Sequence, residues 1–288
     1  MIKSSSFGSL YKAVESGARH IVVDQSYKLM EPVRLPSGLT LELRPGIMLE
    51  AGKGGMKDKY DCLLWAEDQD DICIIGYGAS LRMRQNDYRN AQHYQKSEHR
   101  HGIGLRGCRD VSIHGINTQW TGGDGIYVGP IWKGCGPERK PCENITICDV
   151  TIDKSYRNGI AIVAGKNVYV DNVVVRNTGG TNPQAGIDIE PSEGCDPIKN
   201  ILVQRSQFLN SAHLGVSIYL KQKGADDDPV SVTFEDCLVR GRSFHAGVLV
   251  LSDAVKGFLS LDIKVENVIG DDWHLRGWHT TACGLERL

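Results

Sequence analysis

Six times between residues 101 and 250 the chain repeats one five-residue frame: any residue, then glycine, then an apolar residue, any residue, and a second apolar residue. The copies are "HGIGL", "DGIYV", "NGIAI", "AGIDI", "LGVSI" and "AGVLV". Their glycines are Gly102, Gly125, Gly159, Gly186, Gly215 and Gly247, at spacings of 23, 34, 27, 29 and 32 residues. The apolar pairs, from Ile103/Leu105 to Val248/Val250, are β-branched or leucine, as a buried strand face prefers. Most copies are followed by a second alternating run, such as "DVSIHGI", "NITICDV" and "NVYVDNVVV". An Asp or Asn opens these runs at Asp110, Asn144, Asn167 and Asn200, residues that tolerate the left-handed backbone of a tight corner. Side chains recurring at one corner can hydrogen-bond from coil to coil. Short strands at repeat spacing with Gly and Asn corners predict a solenoid, since a sandwich or barrel would not reproduce one frame six times in order.

Bulk properties narrow the partners. The chain has 288 residues, expected to form one domain, and its formal net charge of −2 argues against a binder dominated by nucleic-acid phosphates. No apolar run approaches the roughly 18 residues of a membrane span, so no membrane partner is expected. The N-terminal "MIKSSSFGSLYKAVES" lacks the apolar core of a signal peptide, which fits cytoplasmic residence or a chain beginning after a removed signal. Of nine cysteines, Cys73, Cys148 and Cys237 lie in apolar strand-like runs and read as buried free thiols. Cys135 and Cys142 flank an insertion and would pair in an oxidising compartment. No CxxC pair occurs, so no structural zinc site is expected.

Superposing the copies on their glycines gathers polar residues into one patch. Before the glycine stand His101, Asp124 and Asn158; two places after it stand Gly104, Tyr127, Ala161, Asp188 and Ser217; four places after it stand Arg106, Gly129, Val163, Glu190 and Tyr219. Gly104, Gly129 and Ala161 would leave room above the patch. Alternation places Asp188 and Glu190 together on the solvent face, separated along the strand by roughly 6.6 Å, near the lower edge of the ~6.5–9.5 Å of inverting glycosidases. Two close carboxylates push one pKa upward, which suits a general acid; a solvated strand face is the plain alternative. Asp124 follows a Gly pair and reads either as a turn aspartate or as a third acid, two coils and roughly 10 Å from Asp188. His99, His101 and Arg157 are candidate acid/base or anion-binding groups. Lys221 and Lys223 lie past Tyr219, either as anion binders or as a solvated loop. Insertions at residues 84–100 and 129–143 would wall a cleft, with Tyr88, Tyr94 and Trp132 either stacking on sugars or buried. Trp273 and Trp278, in the tail, would cap the C-terminal end of the core.

The coils, with "SLYKAVESG" as a short N-terminal capping helix and "LPSG" as a turn between strands, resemble the right-handed parallel β-helix of the pectin-lyase-like superfamily over about residues 5–270. That likeness implies an all-β fold: a cap at residues 5–20, coils over 20–270 and a C-terminal cap or tail at 271–288. The nearest local likeness is to polygalacturonase-type glycoside hydrolases, whose Asn-Thr-Asp, Asp-Asp and Gly-His-Gly signatures fall at His99–His101, Gly123–Asp124 and Arg157–Gly159. Of these only Asp124 matches, and the acid pair sits instead on "GIDIEP", loosely similar to iota-carrageenase-type hydrolases. The implied activity is glycosidic hydrolysis of a polysaccharide or oligosaccharide, without cofactor, with Asp188 and Glu190 as acid and base and Asp124 assisting. His101, Tyr127, Arg157, Asn158, Tyr219, Lys221 and Trp132 would bind substrate. A lyase acting on a uronate polymer would instead hold Ca²⁺ through Asp124, Asp188 and Glu190, with Lys221 or Arg157 as base. The remaining alternative is a non-catalytic glycan-binding module.

Overall fold

The computed structural model describes residues 1–131, 134–224 and 227–240, followed by the strands 247–251, 261–266, 269–270 and 273–276. The chain is a right-handed parallel β-helix, with three sheets of ten, nine and nine strands among the described residues. Each coil gives one strand to each sheet. One coil runs Ile126–Gly129, Cys142–Cys148, Thr151–Asp153, and the next runs Ile160–Ile162, Gly165–Asp171, Val174–Arg176. Every strand pairing among the described residues is parallel. Such sheets need no hairpins, because the chain closes a full turn before it pairs with itself.

The repeated frame sits in the sheet that carries Ile103–Arg106, Ile126–Gly129, Ile160–Ile162, Ala185–Ile189 and Leu214–Leu220. Ile103, Ile126, Ile160, Ile187 and Val216 stand opposite one another in register and are fully buried. Their frame partners Leu105, Val128, Ile162, Ile189 and Ile218 form a second buried row, so the core is a set of aliphatic stacks. The sixth copy departs from the expected frame. Gly247 stands opposite Val216 rather than Gly215, and Val248 stands opposite Ser217, a shift of one residue. In a strand one residue of shift exchanges faces.

The glycines are explained by contact between coils. A Cβ on Gly102, Gly125, Gly159 or Gly186 would run into the carbonyl oxygen of the next glycine in the series. It would also strike the third sheet's inward side chain, respectively Thr118, Ile152, Val175 or Phe208. The corner before the second sheet is held differently. Asp110, Asn144, Asn167 and Asn200 all stand in the left-handed region, with φ from 54° to 56°. Asn144 donates to Asp110 Oδ1 at 2.8 Å, Asn167 to Asn144 at 2.9 Å and Asn200 to Asn167 at 2.9 Å. The expected coil-to-coil ladder is present.

At the N-terminal end, helix Leu10–Glu15 buries Leu10, Ala13 and Val14 over the first coils. Ser9 caps it by accepting from the Lys12 N–H at 3.2 Å. The cysteine expectations need correction. Cys73 and Cys148 are half-exposed because alternation gives the inward places to Ile72, Ile74, Ile145 and Ile147; Cys237 is buried as expected. Cys135 does not pair with Cys142. It is bonded to Cys195, 60 residues on, while Cys142 opens a strand and turns into the core, its thiol donating to the Gly129 carbonyl at 3.3 Å. Strand Trp273–Arg276 pairs with Gly247–Leu251, and Trp278 lies outside the described residues.

Gly159→Ala is expected to cost about 1–3 kcal/mol, the range for forcing atoms into a packed interior. Gly136→Ala, in open space, should stay within about 0.5 kcal/mol of wild type. Urea unfolding of the two variants checks this, and equal midpoints would refute the close-approach account.

Candidate active site

Three successive coils enter the framed sheet through His101, Asp124 and Asn158, and the fourth through Ala185. At this corner each backbone N–H donates to the side chain one coil earlier. The Asp124 N–H bonds His101 Nδ1 at 3.0 Å, the Asn158 N–H bonds Asp124 Oδ1 at 2.9 Å, and the Ala185 N–H bonds Asn158 Oδ1 at 2.9 Å. The coil stack itself therefore fixes these three side chains. Asp124 Oδ1 satisfies the backbone at this corner, while Oδ2 is buried without a hydrogen bond.

Asp188 projects outward between Ile187 and Ile189, opposite Ala161 on one side and Ser217 on the other. It does not share the solvent face with Glu190, contrary to expectation. Asp188 is 1% exposed, whereas the Glu190 side chain is 34% exposed. The strand ends at Ile189, before Pro191, with a last sheet bond from the Glu190 N–H to the Ile162 carbonyl, so the Glu190 side chain reaches solvent while Asp188 stays packed against Asn158. The Asn158 amide donates to Asp188 Oδ2 at 3.2 Å, and Oδ1 is buried without a partner. The expected space above the small residues is also filled. Cys62 occupies the room beside Gly104, the Tyr127 ring lies over Gly129, and Ala161 packs with Tyr127 and Val163.

The charges divide the acids. Burial, and next the neighbouring Glu190 charge, push Asp188 up to about 8, so it is protonated at neutral pH. Burial also works to raise Asp124, but Arg157, the His101 ring and the Asn158 N–H outweigh it and hold the carboxyl below its ordinary value. Arg157 reaches Glu190 at 3.1 Å, Asp124 at 3.6 Å and Glu98 at 3.9 Å. Burial opposes its charge, but these carboxylates together with Asp188 raise its pKa. His101 is lowered by burial and neutral. Its Nδ1 lies 3.0 Å from the Asp124 N–H and 3.2 Å from Asp124 Oδ2, and its Nε2 is buried without a hydrogen bond. The ring stacks on Tyr127 with centroids 4.7 Å apart. His99 stacks on Tyr60 at 5.2 Å and is pushed down by burial to about 4.

The fold thus brings Asp124, Asp188, Glu190, His101, Tyr127, Arg157 and Asn158 together. Tyr219 is half-buried one coil on, two residues past Ser217, with the Lys221 ammonium 5.4 Å from its ring centroid. Lys223 is not a solvated loop residue: it is 1% exposed and donates to the Gly194 carbonyl at 2.6 Å. Tyr88 and Tyr94 do not stand exposed on the cleft. They are buried edge to face, and both hold Arg100 against their rings. Trp132 lies outside the described residues. Three further features were given no role by the sequence. Glu98 joins from the 84–100 insertion, Arg106 lies over the Trp65 ring at 4.6 Å, and Arg139 pairs with Asp196 at 2.6 Å beside the Cys135–Cys195 bond. Arg106 was visible as an outward residue of the first framed strand; the other two depend on loops meeting in space. Among the described residues, no group of three or more His, Cys, Asp or Glu side chains is arranged to hold a metal ion.

Comparison with known proteins agrees with this geometry at the level of fold. The chain is similar to a polygalacturonase from Erwinia carotovora ssp. carotovora, with 14% identity, a TM-score of 0.53, and coverage of 98% of this chain and 96% of that one. It is also similar to PfbA, a surface adhesin of Streptococcus pneumoniae, with 13% identity, a TM-score of 0.57, and coverage of 94% and 79%. A 1,3-α-1,4-β-D-galactose-4-sulfate-3,6-anhydro-D-galactose-2-sulfate 4-galactohydrolase gives 13% identity, a TM-score of 0.55, and coverage of 86% and 60%. The chain shares with these proteins the right-handed parallel β-helix fold. In sequence, this β-helix is 29% identical over 157 residues to the uncharacterized protein YclG of Bacillus subtilis (strain 168), covering 52% of this chain and 27% of that protein's length. No family model matches.

A buried acid with a raised pKa has a sign that can be checked. Between the ordinary carboxylate range and about pH 8 the folded state holds a proton on Asp188 that the unfolded state has lost, so stability falls as pH rises through that window. Asp188→Asn removes this slope. Its unfolding midpoint is expected to gain on wild type from pH 5 to pH 8, measured by urea titration at both; a constant gap would mean that Asp188 is ionised in the fold.

Proposed function

We propose that the protein is a carbohydrate-active enzyme that hydrolyses a glycosidic bond, with Asp188 as general acid and Asp124 as general base. The observation that carries this reading is the divergence of two buried acids that touch one residue: Asn158 donates its backbone N–H to Asp124 and its side-chain amide to Asp188. One acid is protonated at neutral pH and the other ionised, as an acid/base pair requires. Asn158 standing between them suits the roughly 6.5–9.5 Å of an inverting pair better than the ~5–5.5 Å of a retaining one. Asp188 Oδ1 would give its proton to the glycosidic oxygen. Asp124 Oδ2 would take a proton from the water that attacks the anomeric carbon, with the His101 ring 3.2 Å from it. Glu190 holds Arg157, and Tyr127, Asn158 and Tyr219 line the approach. Both acids are almost wholly covered, so substrate entry requires a side chain to move; Arg157, 15% exposed and bound to Asp124 and Glu190, is the one placed to do so.

The Ca²⁺-assisted lyase reading fits the donors less well. Asp188 is neutral, one Asp124 oxygen is taken by a backbone N–H, and Glu190 is paired with Arg157. Hard-cation sites want several free, charged oxygens.

A panel of polysaccharides and oligosaccharides, read for both new reducing ends and unsaturated products, tests the proposal. Hydrolysis should fall by about 10²–10⁴ in Asp188→Asn or Asp124→Asn. In wild type kcat/KM should decline above about pH 8 as Asp188 loses its proton. Unsaturated products would replace hydrolysis with elimination, and silence across the panel would leave a glycan-binding module.

A further inference from the structure

Beside the acid cluster, under the 84–100 insertion, lies a cavity of 280 Å³ that the hydrolytic chemistry does not use. It is small beside the ~300–1,000 Å³ of pockets for drug-sized ligands, so it suits one ring rather than a polymer. Gly122, two residues before Asp124, and Tyr156, one residue before Arg157, form its wall on the side of the acids. The backbone bridge between Arg100 and Gly122 ties the insertion to this wall.

The lining is aromatic and cationic. Tyr88, Tyr94 and Tyr156 supply ring surface, Arg89 and Lys96 supply charge, and no carboxylate lines the cavity. The Arg89 guanidinium lies 5.1 Å from the Tyr156 ring centroid. Behind the other two tyrosines is a third cation. Arg100 is fully buried, 5.2 Å and 5.6 Å from the Tyr88 and Tyr94 ring centroids. Among the described residues its hydrogen bonds all go to carbonyl oxygens, those of Met56, Lys57 and Gln95, and its Nη1 is unpartnered. A buried cation without a hydrogen-bonded carboxylate leaves a positive field around it, here offset in part by the Asp61 and Asp58 charges. The acid cluster has the opposite balance, since Arg157 is surrounded by Asp124, Glu190 and Glu98.

We propose that this cavity is an anion-selective subsite that takes one negatively charged sugar residue, stacked on tyrosine and neutralised by Arg89 and Lys96. The sugar part of this assignment rests on the hydrolase reading; the preference for negative charge rests on the cavity alone. It follows that discrimination for a charged substituent lies one residue away from the bond that is cut.

Titration calorimetry with glucuronate and with glucose tests this without turnover. Glucuronate should bind at least 10-fold more tightly than glucose to wild type, and the preference should shrink as salt is raised. The double variant Arg89→Ala/Lys96→Ala, with both changes at exposed side chains, should lose that 10-fold preference. Asp188→Asn should keep it, because the cavity is separate from the acids. Equal binding of the two sugars, an unchanged double variant, or no saturable glucuronate binding would each overturn the proposal. Retained hydrolysis with any of those results would leave the enzyme reading standing, whereas anion binding without hydrolysis of any glycan would sink that reading alone.

Discussion

The structure depends on how closely successive coils approach at the framed glycines. There the backbone of one coil meets the carbonyl of the next and the third sheet's inward side chain, with no volume for a Cβ. That approach sets the parallel register, and the register stacks Ile103, Ile126, Ile160, Ile187 and Val216 into one row. It also sets the corner beside the glycine. Because Asp124, Asn158 and Ala185 come to the same place on successive coils, each of their N–H groups meets the side chain of the coil before. The candidate site is therefore a by-product of the repeat: its orienting hydrogen bonds are inter-coil bonds of the fold.

The same corner explains why polar groups tolerate burial here. An unpaired buried donor or acceptor costs free energy, and the backbone pairs one atom each of His101, Asp124 and Asn158. Here His101 Nε2, Asp124 Oδ2, Asp188 Oδ1 and Arg157 Nε are buried without a hydrogen bond, although Asp124 Oδ2 and Arg157 keep ion-pair contacts with each other and with His101 and Glu98. The Cys135–Cys195 bond and the Arg139–Asp196 pair from one loop, and the Lys223 contact to Gly194 from another, hold the segment that follows Glu190. Past the last sheet bond, from the Glu190 N–H to the Ile162 carbonyl, that segment is held by these neighbours.

Much of the fold was legible because it is periodic. The Gly-apolar-x-apolar frame, the Asp110–Asn144–Asn167–Asn200 corner and the capping face of Leu10, Ala13 and Val14 each follow from local spacing. Part of the site was legible for the same reason: aligning coils on their glycines put His101, Asp124 and Asn158 in one row and Tyr127 and Asp188 in another. The misreadings fall where spacing stops being informative. The sixth frame slips by one residue although its sequence matches, because register is decided by the neighbouring strand. Tyr88 and Tyr94 look like exposed aromatics on a polar insertion, yet both fold down onto Arg100.

By itself the sequence determined a parallel solenoid, the inward rows of its core and the coil positions from which an acid cluster would project, since each of these depends on identity at a fixed interval. Only the tertiary structure decided that Asp188 is covered while Glu190 is not, that Tyr127 and Cys62 fill the spaces beside the small residues, and that Cys135 finds Cys195 rather than Cys142. The physical reason is common to all three. Which groups cover an outward-facing side chain, and so what its charge costs, depends on side chains from coils and loops tens of residues away, and no local interval records that meeting.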